Sequence, residues 1–268
     1  MPIYQAIILG IIQGLTEFLP VSSSAHLNLF PWVLGWSQMP DSFDVALHIG
    51  TLLAIIIFFF KDWIKLIVGG YKQVVKKEKT TEGKIFWYLV IATIPAGILS
   101  LLLSKVSEKL FEKNLNLEMT VIAITLIVMG IILYIVDKKA KSKTKYEDMS
   151  LKQSIAIGAS QALAAAFPGV SRSGITMTIA RALGIDRESA ARYSFLLATP
   201  ITAAAVIFDL NHFDFSSLAF WVGILFSFIV GILIIKFLLD YLKKGSFKVF
   251  AIYRIIIGII VILIAITR

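Results

Sequence analysis

Cysteine is absent from this chain. That excludes disulfide bonds and thiolate metal sites, and it leaves the redox character of the compartment undecided. Charge is scarce too. Only 16% of the 268 residues are Asp, Glu, Lys or Arg, while 58% are hydrophobic and the mean hydropathy is +0.85. A chain this apolar does not form a water-soluble domain; it reads as an all-α polytopic membrane protein. No removable signal peptide is expected, because the N-terminus lacks a basic leader and a small-residue cleavage site, and Glu17 interrupts its first apolar run.

The few charges that exist are unevenly placed, and their sum is +9. Segments 61–84, 137–152, 181–192 and 236–248 are net positive, whereas 29–44 and 209–216 are net negative and 105–118 is balanced. The positive-inside rule puts the first group in the cytoplasm and the second outside. A nucleic-acid partner is excluded, since the lysines lie between membrane spans rather than on one face of a soluble domain. Six apolar runs are long enough to cross a bilayer, at about 44–60, 85–104, 119–136, 193–208, 217–235 and 249–267. The first and fourth lie near the short limit. Tryptophans 32, 36, 63, 87 and 221 cluster near the expected span ends, as in an aromatic belt.

Two further stretches match one another at an offset of 148: Gln5 to His26 and Gln153 to Gly174 share Gln5/Gln153, Gly10/Gly158, Gln13/Gln161, Leu15/Leu163, Pro20/Pro168 and Ser23/Ser171. Each is an apolar run that breaks at a proline and restarts after serines, which describes a re-entrant helical hairpin, 1–43 in the first case and 153–192 in the second. Later segments align as well, 43–58 with 193–208 and 86–99 with 220–233. The chain thus divides into a first repeat, 1–136, a cytoplasmic linker, 137–152, and a second repeat, 153–268. Each half is one hairpin plus three transmembrane helices, six spans in total. Because three is odd, the second half must be inverted, with both termini outside and the two hairpin tips brought together near the midplane.

Broken helices at membrane depth expose unpaired backbone N–H groups and the positive end of the helix dipole, a setting suited to an anion. The first tip carries Gln13 and Glu17 four residues apart on one helix face, then Ser22, Ser23, Ser24 and His26. A carboxylate at bilayer depth is costly and points to function. The second tip carries Arg172, whose planar fork of donors matches phosphate oxygens. Ser171, Ser173 and Thr176 add hydroxyls around it, and Gly169 and Gly174 allow close backbone approach. His48 reads as a packing residue near the cavity wall, His212 as a solvated loop residue, and Arg254 as a snorkelling residue near the cytoplasmic end of the last span.

The pair PVSSSAH and PGVSRSGIT, set in six spans with an inverted repeat, resembles the undecaprenyl-diphosphate phosphatases of the bacitracin-resistance type over essentially the whole chain. The resemblance implies a bacterial inner-membrane enzyme that hydrolyses the C55 isoprenoid diphosphate to the monophosphate at the outer leaflet, recycling the cell-wall lipid carrier. It further implies a divalent cation, Mg²⁺ or Ca²⁺, and antagonism by bacitracin through sequestration of the substrate. Some relatives have two carboxylates where this chain has Gln13 and Glu17, the pair assigned here to the metal. The family's serine, histidine and arginine map onto Ser23, His26 and Arg172. Ser23 is the expected nucleophile, activated by His26, and direct attack by His26 stays open; Ser22, Ser24, Ser171, Ser173, Gly174 and Thr176 are the expected phosphate-binding set. A prenyl-phosphate flippase would use the same architecture without the chemistry. The other membrane lipid-phosphatase class requires a histidine where this chain has Thr178. A homodimer is compatible with these features.

Overall fold

The computed structural model describes residues 1–111 and 115–267, and among them the regular structure is helical. Helix α1 (Ile3–Thr16) ends before Pro20, and α2 (Ser23–Leu34) follows the break. Next come α3 (Asp41–Phe58), α4 (Phe60–Val75), α5 (Thr81–Phe111) and α6 (Leu115–Lys139). Then α7 (Leu151–Ser160), the short α8 (Ala162–Ala166) and α9 (Arg172–Ala182) repeat the broken pattern around Pro168. The chain closes with α10 (Arg187–Asp209), α11 (Leu218–Leu242) and α12 (Lys248–Thr267).

Five helices, α5, α6, α10, α11 and α12, are long and apolar enough to cross a membrane, and α3 joins them when taken with α4, from which it is bent by 73°. The expected spans are thus all found as helices, with three differences. Segment 61–84, expected as a charged loop, is mostly the amphipathic α4. Its Phe60, Ile64, Ile67 and Tyr71 are exposed along one side while Leu66, Gly69 and Gly70 are buried against the bundle, a helical spacing that the density of lysines obscures. Likewise α10 starts six residues before the expected 193, because its first turn is polar: Asp186 caps it by accepting from Ser189 N–H at 2.9 Å. The loop expected at 105–118 is largely helix on both sides, and 112–114 lie outside the described residues.

Packing interleaves the two halves of the chain. Helix α1 lies along α11, α7 and α8 lie on α5, α3 contacts both α10 and α11, and α6 lies along α12. Small residues permit the approach: a Cβ on Gly10 would sit 2.6 Å from the Gly223 carbonyl, and one on Gly158 would collide with the carbonyl of Ala92. In lipid, where apolar burial does not drive helices together, such close backbone contact is a main source of association.

The segments of positive charge also meet. Asp137 accepts from Arg181 Nε at 2.9 Å, Arg187 Nε at 2.8 Å and the Phe247 N–H at 3.1 Å. Arg192 donates to Asp62 at 2.5 Å, and Lys84 to the Glu147 carbonyl at 2.6 Å. At this face burial pushes the Tyr146 hydroxyl up, against the opposing pull of Arg192. A cavity of about 580 Å³ lies here among polar loops and contains none of the residues singled out at the two tips.

Candidate active site

The two helix breaks are terminated in the same way. Proline supplies no N–H, so the helical ladder fails at Pro20 and Pro168. The chain then turns through Ser22 at φ +77° and Ser171 at φ +73°, a region that few non-glycine residues occupy. Each serine caps the restarted helix. Ser22 Oγ accepts from Ala25 N–H at 3.4 Å, and Ser171 Oγ from Gly174 N–H at 3.0 Å. Ser22 and Ser171 are therefore equivalent in structure, whereas the constant offset of 148 had paired Ser171 with Ser23. Gly169 is the reason. It inserts one residue after the second proline, at φ +90°, against Ile122 and Thr125 of α6 where a Cβ would clash. With the register corrected, Ser23 stands opposite Arg172 and His26 opposite Ile175.

The tips meet at Glu17. Its Oε2 accepts from Ser23 Oγ at 2.6 Å and from Gln13 Nε2 at 3.2 Å, and its Oε1 pairs with Arg172 Nη2. Arg172 Nη1 is oriented by Thr202 Oγ1 of α10 at 2.6 Å. His48 Nε2 faces Glu17 Oε2 at 3.5 Å while its Nδ1 donates to the Asp44 carbonyl at 2.9 Å. Glu17 is buried, and Arg172 and His48 are each about one-quarter exposed, so the cluster is not wholly sealed within the protein.

His26 is placed differently from expectation. A carbonyl can only accept, so Nδ1 donates to the Ser22 carbonyl at 2.7 Å, and Nε2 meets the Tyr253 hydroxyl at 2.8 Å. The ring stacks on Tyr253, 5.7 Å apart and 8° from parallel. Both ring nitrogens therefore have partners within the protein, and the group within hydrogen-bond distance of Ser23 Oγ is the Glu17 carboxylate.

The expected phosphate ligands mostly bind protein. Ser173 Oγ donates to the Leu19 carbonyl at 3.0 Å and so ties one tip to the other. Thr176 Oγ1 donates to the Arg172 carbonyl at 2.9 Å and lies 2.6 Å from Ser194 Oγ. Gly174 gives room to Arg254, whose Nη1 would lie 2.7 Å from a Cβ there. Ser24 is exposed and its hydroxyl is 3.3 Å from that of Ser22.

Arg254 does not snorkel. It is buried, and it donates to the carbonyls of Pro20 at 3.2 Å, Gly169 at 2.9 Å and Val170 at 3.0 Å. These are carbonyls that the two breaks leave without helical donors, so one guanidinium staples both tips. Sequence reasoning also missed Thr202 and Tyr253 and underrated His48. An Asp44/His48 pair four apart on an apolar helix was the only signal available for the last.

For a divalent cation, the relevant observation is Gln13 Oε1: it is buried and without a hydrogen-bond partner beside the Glu17 carboxylate. An orphan carbonyl oxygen next to a carboxylate suits a hard cation. No group of three or more His, Asp or Glu ligands occurs among the described residues, so most of the coordination would have to come from substrate and water.

The family described as Bacitracin resistance protein BacA matches residues 6–260. An undecaprenyl-diphosphatase of Pelotomaculum thermopropionicum is 48% identical over 271 residues, covering 100% of this chain and 98% of that protein. One of Caldicellulosiruptor bescii is 45% identical over 265 residues, with 97% of each chain covered. One of Moorella thermoacetica is 44% identical over 264 residues, covering 98% of this chain and 97% of the relative.

Proposed function

The chain belongs to the bacitracin resistance protein BacA family, and from that premise and the site geometry we propose that it is a membrane phosphatase converting undecaprenyl diphosphate to undecaprenyl phosphate and inorganic phosphate. The names of the relatives favour hydrolysis over a flippase. The observation that carries the reading is Glu17, held by Arg172 on one oxygen and by Ser23 on the other.

In the reaction, Ser23 Oγ attacks the terminal phosphorus as its proton passes to Glu17 Oε2. The bridging P–O bond breaks and undecaprenyl phosphate leaves. Water then cleaves the Ser23 phosphate ester and restores the serine. Arg172, kept in line by Thr202, neutralises the transferring group, and the N-terminal amides of α2 and α9 face the same charge. His48, with Nδ1 committed to the Asp44 carbonyl, presents Nε2 to Glu17. Gln13 and Glu17 would hold a divalent cation, Mg²⁺ or Ca²⁺, which would supply further charge neutralisation. Bacitracin, by binding the diphosphate, competes with this site for substrate.

The arrangement also supports an inverted repeat of 1–136 and 153–268 with six spans: the first helix of each hairpin packs on a span of the other half, α1 on α11 and α7 on α5. On this reading both termini and the site opening are extracytoplasmic, in the inner membrane of a bacterium. Purified protein in detergent should release phosphate from undecaprenyl diphosphate. Binding without release would favour the transporter.

A further inference from the structure

Between α2 and α12 lies a groove of about 250 Å³ with almost wholly apolar walls. His26 and Tyr253 form its head, the buried Leu29 and Val261 its floor, and the exposed Phe30 and Ile260 stand on its two walls. Ser23, His26 and Phe30 recur at i, i+3 and i+7 and share a face of α2, so the groove begins one helical turn from the candidate nucleophile.

The equivalent junction in the other half is closed. Between α9 and α6, Met129, Val170 and Ile175 form a buried cluster on which Ile179 packs. Ile175 occupies there the place that His26 has on α2. An apolar gap left open at only one of two like-built junctions, and ending in polar groups beside a serine, is suited to a ligand that is apolar along its length and polar at one end.

We infer that the α2/α12 groove receives the first isoprene units of the prenyl diphosphate, with the diphosphate delivered to Ser23 past His26 and Tyr253. The inference rests on the phosphatase reading above and extends it to how the chain is recognised. From His26 to Leu34 helix α2 advances about 12 Å. That is the reach of a few isoprene units, so the rest of a long tail stays in lipid.

The test compares two substrates and two substitutions on one helix. Ile260→Trp fills the groove; the ratio of kcat/KM for undecaprenyl diphosphate over dimethylallyl diphosphate should fall about tenfold or more. Ile259→Trp, on the exposed side of α12 away from the groove, should leave that ratio unchanged. An unchanged ratio in Ile260→Trp, or an equal fall in both variants, would overturn the inference. A second measurement does not depend on turnover. Undecaprenyl diphosphate carrying a diazirine in the isoprene unit next to the diphosphate should label residues 23–34 and 248–267 of the intact protein in lipid nanodiscs. Label spread over α5 and α11 would overturn the groove. Failure of the wild type to hydrolyse either diphosphate would instead remove the phosphatase reading, and the photolabel would still decide the groove.

Discussion

The two helix breaks are built alike and equipped differently. Both turn through a serine of positive φ that caps the next helix, and both pair that serine with another two residues on, at 3.3 and 3.2 Å. Yet Glu17, Ser23 and His26 of the first tip face Ala165, Arg172 and Ile175 in the matching places of the second. The backbone that suits an anion is present twice, while the proposed nucleophile and its proposed base lie in one copy and the guanidinium in the other. In the proposed mechanism a phosphoryl group held between them would meet attack on one side and charge neutralisation on the other, which two identical tips could not offer.

The largest test of that division removes its central pair. Arg172→Ala and Glu17→Ala should each lower phosphate release by ~10³ or more while the protein still folds. A modest loss in either would mean that the tips act more alike than their residues suggest. Arg254→Met probes what the tips share. It strips the donors from carbonyls of both breaks, so thermal unfolding in detergent should show a loss of about 3 kcal/mol or more. Stability close to that of the wild type would show that the tips hold together without the staple.

A smaller effect should separate the paired glutamines. Gln13→Glu adds a carboxylate four residues from Glu17 and should lower the half-saturating Mg²⁺ or Ca²⁺ concentration by roughly tenfold. Gln13→Ala should raise it less than Glu17→Ala does. Gln161→Glu, whose neighbour at the position of Glu17 is Ala165, should leave metal dependence unchanged. The smallest effect is on the same residue: both amide atoms of Gln161 are buried without a partner. Gln161→Leu should therefore be neutral or raise stability by about 1 kcal/mol, whereas the equivalent change at Gln13 should impair activity.

Much of this was readable in the sequence because it rests on local causes. Proline stops a helix whatever surrounds it, so both breaks were placed correctly, and the scarcity of charge made Glu17 and Arg172 conspicuous. What was not readable depends on contacts between distant segments. Arg254 lies 234 residues from Pro20, and nothing near it in sequence indicates that two sets of orphan carbonyls converge on it. Tyr253 and Thr202 are ordinary residues of apolar helices until α12 and α10 bring them to His26 and Arg172. The shift from Ser23/Ser171 to Ser22/Ser171 turns on a single inserted glycine, which an ungapped match cannot register. His26 and Ser23 do share a helix face, but sharing a face does not fix which partner a ring nitrogen takes; the carbonyl of Ser22 took one and Tyr253 the other.

The most direct test of the unequal tips is phosphate release from undecaprenyl diphosphate by Ser23→Ala and Ser171→Ala, measured side by side at saturating metal. Ser23→Ala should lose a factor of ~10³ or more. Ser171→Ala, which removes a helix cap worth about 1 kcal/mol, should stay within roughly tenfold of the wild type. Near-full activity in Ser23→Ala, or equal losses in the two variants, would contradict the assignment of nucleophile to one tip and clamp to the other.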